Sequence, residues 1–179
     1  MHSRDFSHEL ALSICAQNLL KCHYNAALEF NATTIVFEYL ELQGKKHGSK
    51  KQRLALWKAQ YVQAMVTNKA HRHMIRIAHV NAANTSKLAF DGSGKVKRGD
   101  DANLKSYSLC KFKSGKIYNC DLNACYNIGS RYFIREIYKS LPTTVGLSIA
   151  AKVPQCLKRS TCTLSTLISF NAELKALSA

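Results

Sequence analysis

Acidic side chains are scarce in this chain: 11 Asp and Glu stand against 26 Lys and Arg, a net charge of +15. That shortage excludes a surface that neutralises itself through ion pairs, and leaves a single-sign field that attracts polyanions. Proline and glycine are also few, at 2 and 8 in 179 residues, which excludes a disordered linker. No apolar run approaches the ~20 residues of a membrane-spanning helix. The start, Met1 to Asp5, lacks the charged-then-apolar layout of a secretory signal. A cytoplasmic protein is therefore expected. Its seven cysteines (Cys15, Cys22, Cys110, Cys120, Cys125, Cys156, Cys162) are odd in number, which argues against a disulfide framework.

What is present is an apolar fraction of 46%, ordinary for a globular chain and enough for a real core at this length. The spacing predicts a helix from about Ser3 to Phe30, started by Ser3 and Asp5 and stopped by Asn31. Thr33 to Phe37 is short, β-branched and apolar on both faces, a buried strand that ends at Glu38. A basic loop, Gly44 to Lys51, leads to a second helix over about Arg53–His73, with Leu54, Trp57, Tyr61, Ala64 and Met65 as its apolar stripe. Ile75–Val80 reads as a strand with Ile75, Ile77 and His79 on one face. Residues 84–120 form a small β-rich insert, with a hairpin turning at Ser114-Gly115. A third helix opens at Asp121 with Leu122, Cys125, Tyr126, Ile128, Gly129, Tyr132, Phe133 and Ile137, and Cys125 is assigned to the core. Pro142 and Pro154 punctuate a basic, irregular tail, and a last helix runs from Leu164 to Leu177. The organisation is thus 1–83, the insert 84–120, the helix 121–141 and the tail 142–179.

Two carboxylates stand at element edges, where a side chain leaves the core for a polar cleft: Glu38 after the strand and Asp121 at the helix start. Phosphodiester hydrolysis uses divalent metals that activate water and stabilise the leaving oxygen. Mg²⁺ takes carboxylate oxygens, and a pair of metals about 4 Å apart needs about three or four acidic groups. The plainer alternatives are a solvated loop acid for Glu38 and a helix N-cap for Asp121.

The local sequence discriminates between these. Asp121-Leu122-Asn123-Ala124-Cys125-Tyr126-Asn127-Ile128 resembles the last RuvC motif of the TnpB (OrfB) proteins of bacterial insertion sequences, in which Asp-x-Asn-Ala is followed by Asn-Ile. Ile35-Val36-Phe37-Glu38-Tyr39-Leu40 resembles the family's middle motif, a hydrophobic strand ending in a metal-binding Glu, and Asn84-Thr85-Ser86-Lys87 its entry to the insert. These transposon-encoded proteins are RNA-guided DNA endonucleases related to type V CRISPR effectors. The resemblance implies an α/β, partial RNase H-like (RuvC) fold, with Glu38 and Asp121 as catalytic Mg²⁺ or Mn²⁺ ligands. DNA, and guide RNA in the intact relative, are the implied partners. The family's first motif, a strand carrying Asp-x-Gly, is absent; Asp5 in Arg4-Asp5-Phe6 is a poor substitute. The chain therefore corresponds to the C-terminal portion of such a nuclease, lacking the first strands, through truncation or a separately encoded N-terminal part. By itself it is expected to be inactive.

Many relatives carry a zinc ribbon in the insert. Here residues 84–120 hold only Cys110 and Cys120, with no CxxC, so zinc is not expected. The nucleic-acid contacts are expected from Lys45, Lys46, Lys50, Lys51 and Arg53 beside the Glu38 strand, and from Lys95, Lys97, Arg98, Lys111 and Lys113 in the insert. Any one such cluster also reads as a solvated face. Two other functions stand beside the nuclease fragment: a non-catalytic RNA- or DNA-binding transposon remnant, and a basic ribosomal-type protein. The segment Asp121–Ile128 argues against the last. A membrane-surface role is disfavoured, because no basic amphipathic helix carries Trp and Phe on one face.

Overall fold

The computed structural model describes residues 25–40 and 50–178. The chain is mixed α and β, and it divides into two compact units, Met1–Ala78 and His79–Ala179. Of the helix expected over 3–30, residues 25–29 are helical and the rest lies outside the described residues.

In the first unit, the helical stretch stops where the sequence places the stop. Asn31 adopts φ 49°, and the Ala32 N–H reaches back to the Ala27 carbonyl at 2.8 Å. This is a Schellman closure, and Asn tolerates its left-handed residue better than most side chains. It feeds β1 (Thr34–Tyr39). The same device ends α1 (Lys50–Arg72): Met74 sits at φ 56°, and the Ile75 N–H reaches the Ala70 carbonyl at 3.0 Å. That turn feeds β2 (Arg76–Asn81), which pairs with β1 and runs into the second unit. The Arg76 N–H to Thr33 carbonyl bond, 2.9 Å, ties the two strand starts. Ala27, Ala70 and Ile75 form a small buried core, packed by Ala32, Ile35 and Ile77.

Three expectations are corrected in this unit. The β1 residues Ile35, Val36 and Phe37 are half-buried, not fully buried. Glu38 lies within the strand rather than after it. In α1, Tyr61 and Ala64 are exposed, and the buried positions are Val66 and Ala70. Leu54 and Trp57 are outside the described side chains. The line Val62–Val66–Ala70 runs one residue round from the expected stripe, because the adjoining face is used for hydrogen bonding. Gln60 donates to the Leu40 carbonyl and Gln63 to the Glu38 carbonyl. The alternation expected in β2 leaves Ala78 and Val80 buried and His79 exposed.

The second unit contains a three-stranded antiparallel sheet of β3 (Lys97–Arg98), β4 (Leu109–Lys111) and β5 (Ile117–Asn119), in that order. Ahead of it, residues 87–96 fold back on themselves through Ala89 N–H to the Gly94 carbonyl and Val96 N–H to the Lys87 carbonyl. The Asp91 carboxylate accepts the Ser93 N–H at 2.9 Å, and Gly92 takes φ 81°. That positive φ is why this turn holds a glycine.

Three helices complete the unit: α2 (Cys120–Ser140), α3 (Thr143–Lys152) and α4 (Leu164–Ser178). The irregular tail of the sequence reading is corrected: Pro142 immediately precedes α3, and Pro154 opens a short 3-10 turn. Pro suits such positions because they need no intrahelical N–H. The largest core of the described residues lies here, built from Ile134, Ile149, Ala150, Val153, Cys156, Cys162 and Phe170. Gly146 is buried against Tyr138; a Cβ there would lie 3.3 Å from the ring. No described helix is long and apolar enough to cross a membrane.

Candidate metal and nucleic-acid site

Asp121 occupies the first turn of α2 and is exposed. It is not the N-cap. Asn119 is, and its side-chain oxygen accepts the Asp121 N–H at 2.8 Å and the Leu122 N–H at 3.0 Å. The helix start is satisfied by that amide. The Asp121 carboxylate makes no hydrogen bond or ion pair among the described residues. A carboxylate at a helix N-terminus is also favoured electrostatically by the helix dipole.

The rest of the motif faces inward. Asn123 and Asn127 are fully buried and Arg131 nearly so, spaced four residues apart down one face of α2. The Asn123 amide donates to the Leu88 carbonyl and its oxygen accepts the Phe90 N–H. The Asn127 amide donates to the Thr85 and Leu88 carbonyls, both at 2.8 Å. Arg131 donates to the carbonyls of Asn81, Ala83, Ser160 and Cys162. Segment 81–90, which enters the insert, is thus pinned to α2 by side chains bonded to its backbone. The sequence signal for these three residues is a polar i, i+4, i+8 line in an otherwise apolar helix.

Two side-chain assignments on this helix are corrected. Cys125 is exposed, and Leu122 and Phe133 are about half exposed at 52% and 53%. Leu122, Cys125 and Phe133 of the expected stripe thus lie toward solvent, whereas Ile137 packs on the core, and the Asn–Asn–Arg line takes the face that holds segment 81–90.

Glu38 lies in the first unit, half-buried in β1, and Asp121 in the second. Among the described residues, no group of three or more His, Cys, Asp or Glu is gathered to hold a metal. Both carboxylates offer hard oxygen donors of the kind Mg²⁺ takes.

The insert's interior is hydrophobic. Ala89, Cys110, Phe112 and Cys120 are buried, with Phe90, Val96 and Tyr118 packed on them. Phe90 meets Phe112 and Tyr118 edge-on at centroid distances of 5.4 and 5.2 Å, and Tyr126 of α2 lies 5.0 Å away. The Lys116 ammonium lies over the Phe90 and Tyr118 rings at 5.1 and 4.8 Å. Burial, together with the neighbouring Cys120 thiol, pushes the Cys110 thiol up to about 11. The Tyr118 hydroxyl is raised through its hydrogen bond with Tyr126.

Of the basic residues singled out in the sequence, Lys95, Lys97, Lys111 and Lys113 are exposed. Arg98 is half-buried and donates to the Ser86 carbonyl. Lys50, Lys51 and Arg53 fall in the opening turns of α1, and Lys45 and Lys46 lie outside the described residues. No protein-family model matches the chain, and no curated protein matches it.

Proposed function

We propose that this chain is a nucleic-acid-binding part of a TnpB-like, RuvC-type nuclease, in which Glu38 and Asp121 are ligands for Mg²⁺ or Mn²⁺. The partial RNase H-like fold belongs to the same proposal. The observation that carries it is the state of Asp121. Within a segment resembling the family's Asp motif, the acid is exposed and is not used as the helix cap, because Asn119 caps the helix instead. An exposed acid held in a rigid first turn can meet a cation. The asparagines of the same motif are buried and hold the insert's entry segment to that helix. Bound metal would supply water activation and charge neutralisation at the phosphodiester. The residues of this chain would supply two carboxylates to hold it, together with exposed lysines that hold the phosphate backbone.

Two carboxylates fall short of the about three or four acids that a metal pair uses. The chain by itself therefore binds DNA or RNA without efficient cleavage. The test is a single-stranded DNA cleavage assay with Mg²⁺ or Mn²⁺, run beside a binding assay on the same substrate. Salt-sensitive binding with no cutting is the expected result. Robust cutting abolished by Asp121→Ala overturns the claim that the chain does not cut alone. Absence of binding to either nucleic acid overturns the whole reading.

A further inference from the structure

The register of the three-stranded sheet places like charges directly opposite each other. Lys97 of β3 pairs with Lys111 of β4, and Lys111 in turn pairs with Ile117 of β5. Cross-strand partners share a face, so these three side chains form one row, and all three are exposed. The next row, Arg98–Cys110–Tyr118, points the other way, with Cys110 in the hydrophobic interior. Side chains directly opposite on a sheet stand about 5 Å apart at Cβ, and like charges there are destabilising. A carboxylate beside them would relieve this, yet among the described residues neither lysine makes an ion pair. Phosphates of a bound polyanion laid along this row would relieve that repulsion.

At the end of the same two strands stands Tyr107, 74% exposed. Its ring is not loose in solvent. It lies against the backbone of Gly99, so closely that a Cβ on Gly99 would sit 2.7 Å from the ring carbon Cε1. Gly99 immediately follows β3, two residues beyond Lys97, or about 7 Å along an extended chain. The ring is thus held against the main chain at Gly99 while most of its surface stays open to solvent. Gly99 also needs its glycine for φ 53°.

We propose that Tyr107, with Lys97 and Lys111, is a binding subsite for single-stranded polynucleotide: the tyrosine stacks one unpaired base and the two lysines hold the adjoining phosphates. Charge complementarity selects a polyanion, and the backed aromatic ring selects one that presents flat, unstacked bases. In a duplex those faces are already covered by neighbouring bases, so duplex lacks the stacking contact. The inference rests on the nucleic-acid reading above and adds to it a residue, Tyr107, and a strand preference.

The experiment measures binding of the full chain to a labelled oligothymidylate, to the same length of duplex and to anionic phosphatidylserine vesicles across a salt series. Single strand is expected to bind more tightly than duplex. Tyr107→Ala should weaken single-strand binding about tenfold, leave the salt slope unchanged, and be rescued by Tyr107→Phe. The double variant Lys97→Ala with Lys111→Ala should reduce the slope of log K against log salt by about 1.4, two phosphate contacts on a single strand. Unchanged helical content and melting temperature in Tyr107→Ala are expected from its exposure, and they separate a binding defect from misfolding. If the oligonucleotide binds but Tyr107→Ala binds equally well, or duplex is preferred, the subsite is wrong while the nucleic-acid reading stands. If no polynucleotide binds at all, both fall. Vesicle binding that requires Tyr107, without oligonucleotide binding, overturns the subsite in favour of a lipid surface.

Discussion

Arg131 donates to four carbonyls drawn from two separate stretches of chain, Asn81 and Ala83 on one side and Ser160 and Cys162 on the other. The guanidinium suits this because its five donors fan out in a fixed plane. Removing it strands four acceptors, of which the Cys162 carbonyl is in a buried bond and the other three are part-buried, and a buried acceptor left unsatisfied costs about 1–3 kcal/mol. Arg131→Met should therefore lower the unfolding free energy by about 1–3 kcal/mol, read from a urea transition. Arg131→Lys keeps the charge, but a single ammonium cannot serve four carbonyls, so less than half of the loss should be recovered. Cys110 gives a pH-dependent counterpart. Its folded-state thiol titrates near 11, raised by burial and by Cys120, whereas an unfolded thiol titrates near its usual value of about 8.5. Between those values the unfolded chain has lost the proton that the folded chain keeps. The contribution of this thiol to stability is therefore complete below about pH 8.5 and declines as pH rises toward about 11. Urea midpoints measured at pH 8 and pH 10.5 should fall further for the native chain than for Cys110→Ala.

At the scale of elements, both helix exits into strands use the same left-handed turn, but with unequal residues. Asn31 is a natural occupant, whereas Met74, also in the left-handed region and almost fully exposed, is not. Met74→Gly should stabilise the first unit by about 1 kcal/mol, because it removes steric strain without disturbing a contact. An unchanged or lower midpoint in chemical denaturation would contradict the strain argument. Most of the described elements were readable in advance, α3 and the short β3 excepted. The Asn31 stop, the hairpin at Ser114-Gly115 and the long helix beginning at Cys120–Asp121 each carry a local chemical signal. Which face each helix buries was not readable. In α2 the apolar set around Leu122 and Phe133 has helical spacing, but so does the line Asn123–Asn127–Arg131, and tertiary hydrogen bonding gave the core to the polar line. Hydrophobic periodicity cannot detect a polar face buried by backbone carbonyls of another segment. Helix α3 was hidden for another reason: its two prolines read as breakers, although Pro142 lies outside the first turn and Pro154 beyond the last. The candidate acids were legible as residues through Asp121–Ile128. The cap at Asn119 was not, because Asp121 is itself a good capping residue type.

For the whole molecule, charge is the dominant fact. The net +15 comes from 26 Lys and Arg against 11 Asp and Glu, and ion pairs such as Arg135–Glu136, Lys139–Glu136 and Lys152–Glu173 draw on that short supply of acids. Partly exposed pairs of this kind are worth at most about 1 kcal/mol, and with 26 cations against 11 acids most of the positive charge has no acid to meet. Such a surface repels itself; the phosphates of a polyanion neutralise it, and the counterions they release add to the driving force. The proposed division of labour follows from this. Exposed lysines on the insert hold the phosphate backbone, the Asn–Asn–Arg line keeps the insert's entry segment fixed to α2, and Asp121 stands at that helix's start for a metal. The most direct test of the central claim is a salt titration of the full chain binding a labelled single-stranded oligonucleotide. A log–log plot of affinity against salt with a steep negative slope, at least about −3 for four or more phosphate contacts, is the predicted result. Failure to bind at low salt, or affinity independent of salt, would contradict it.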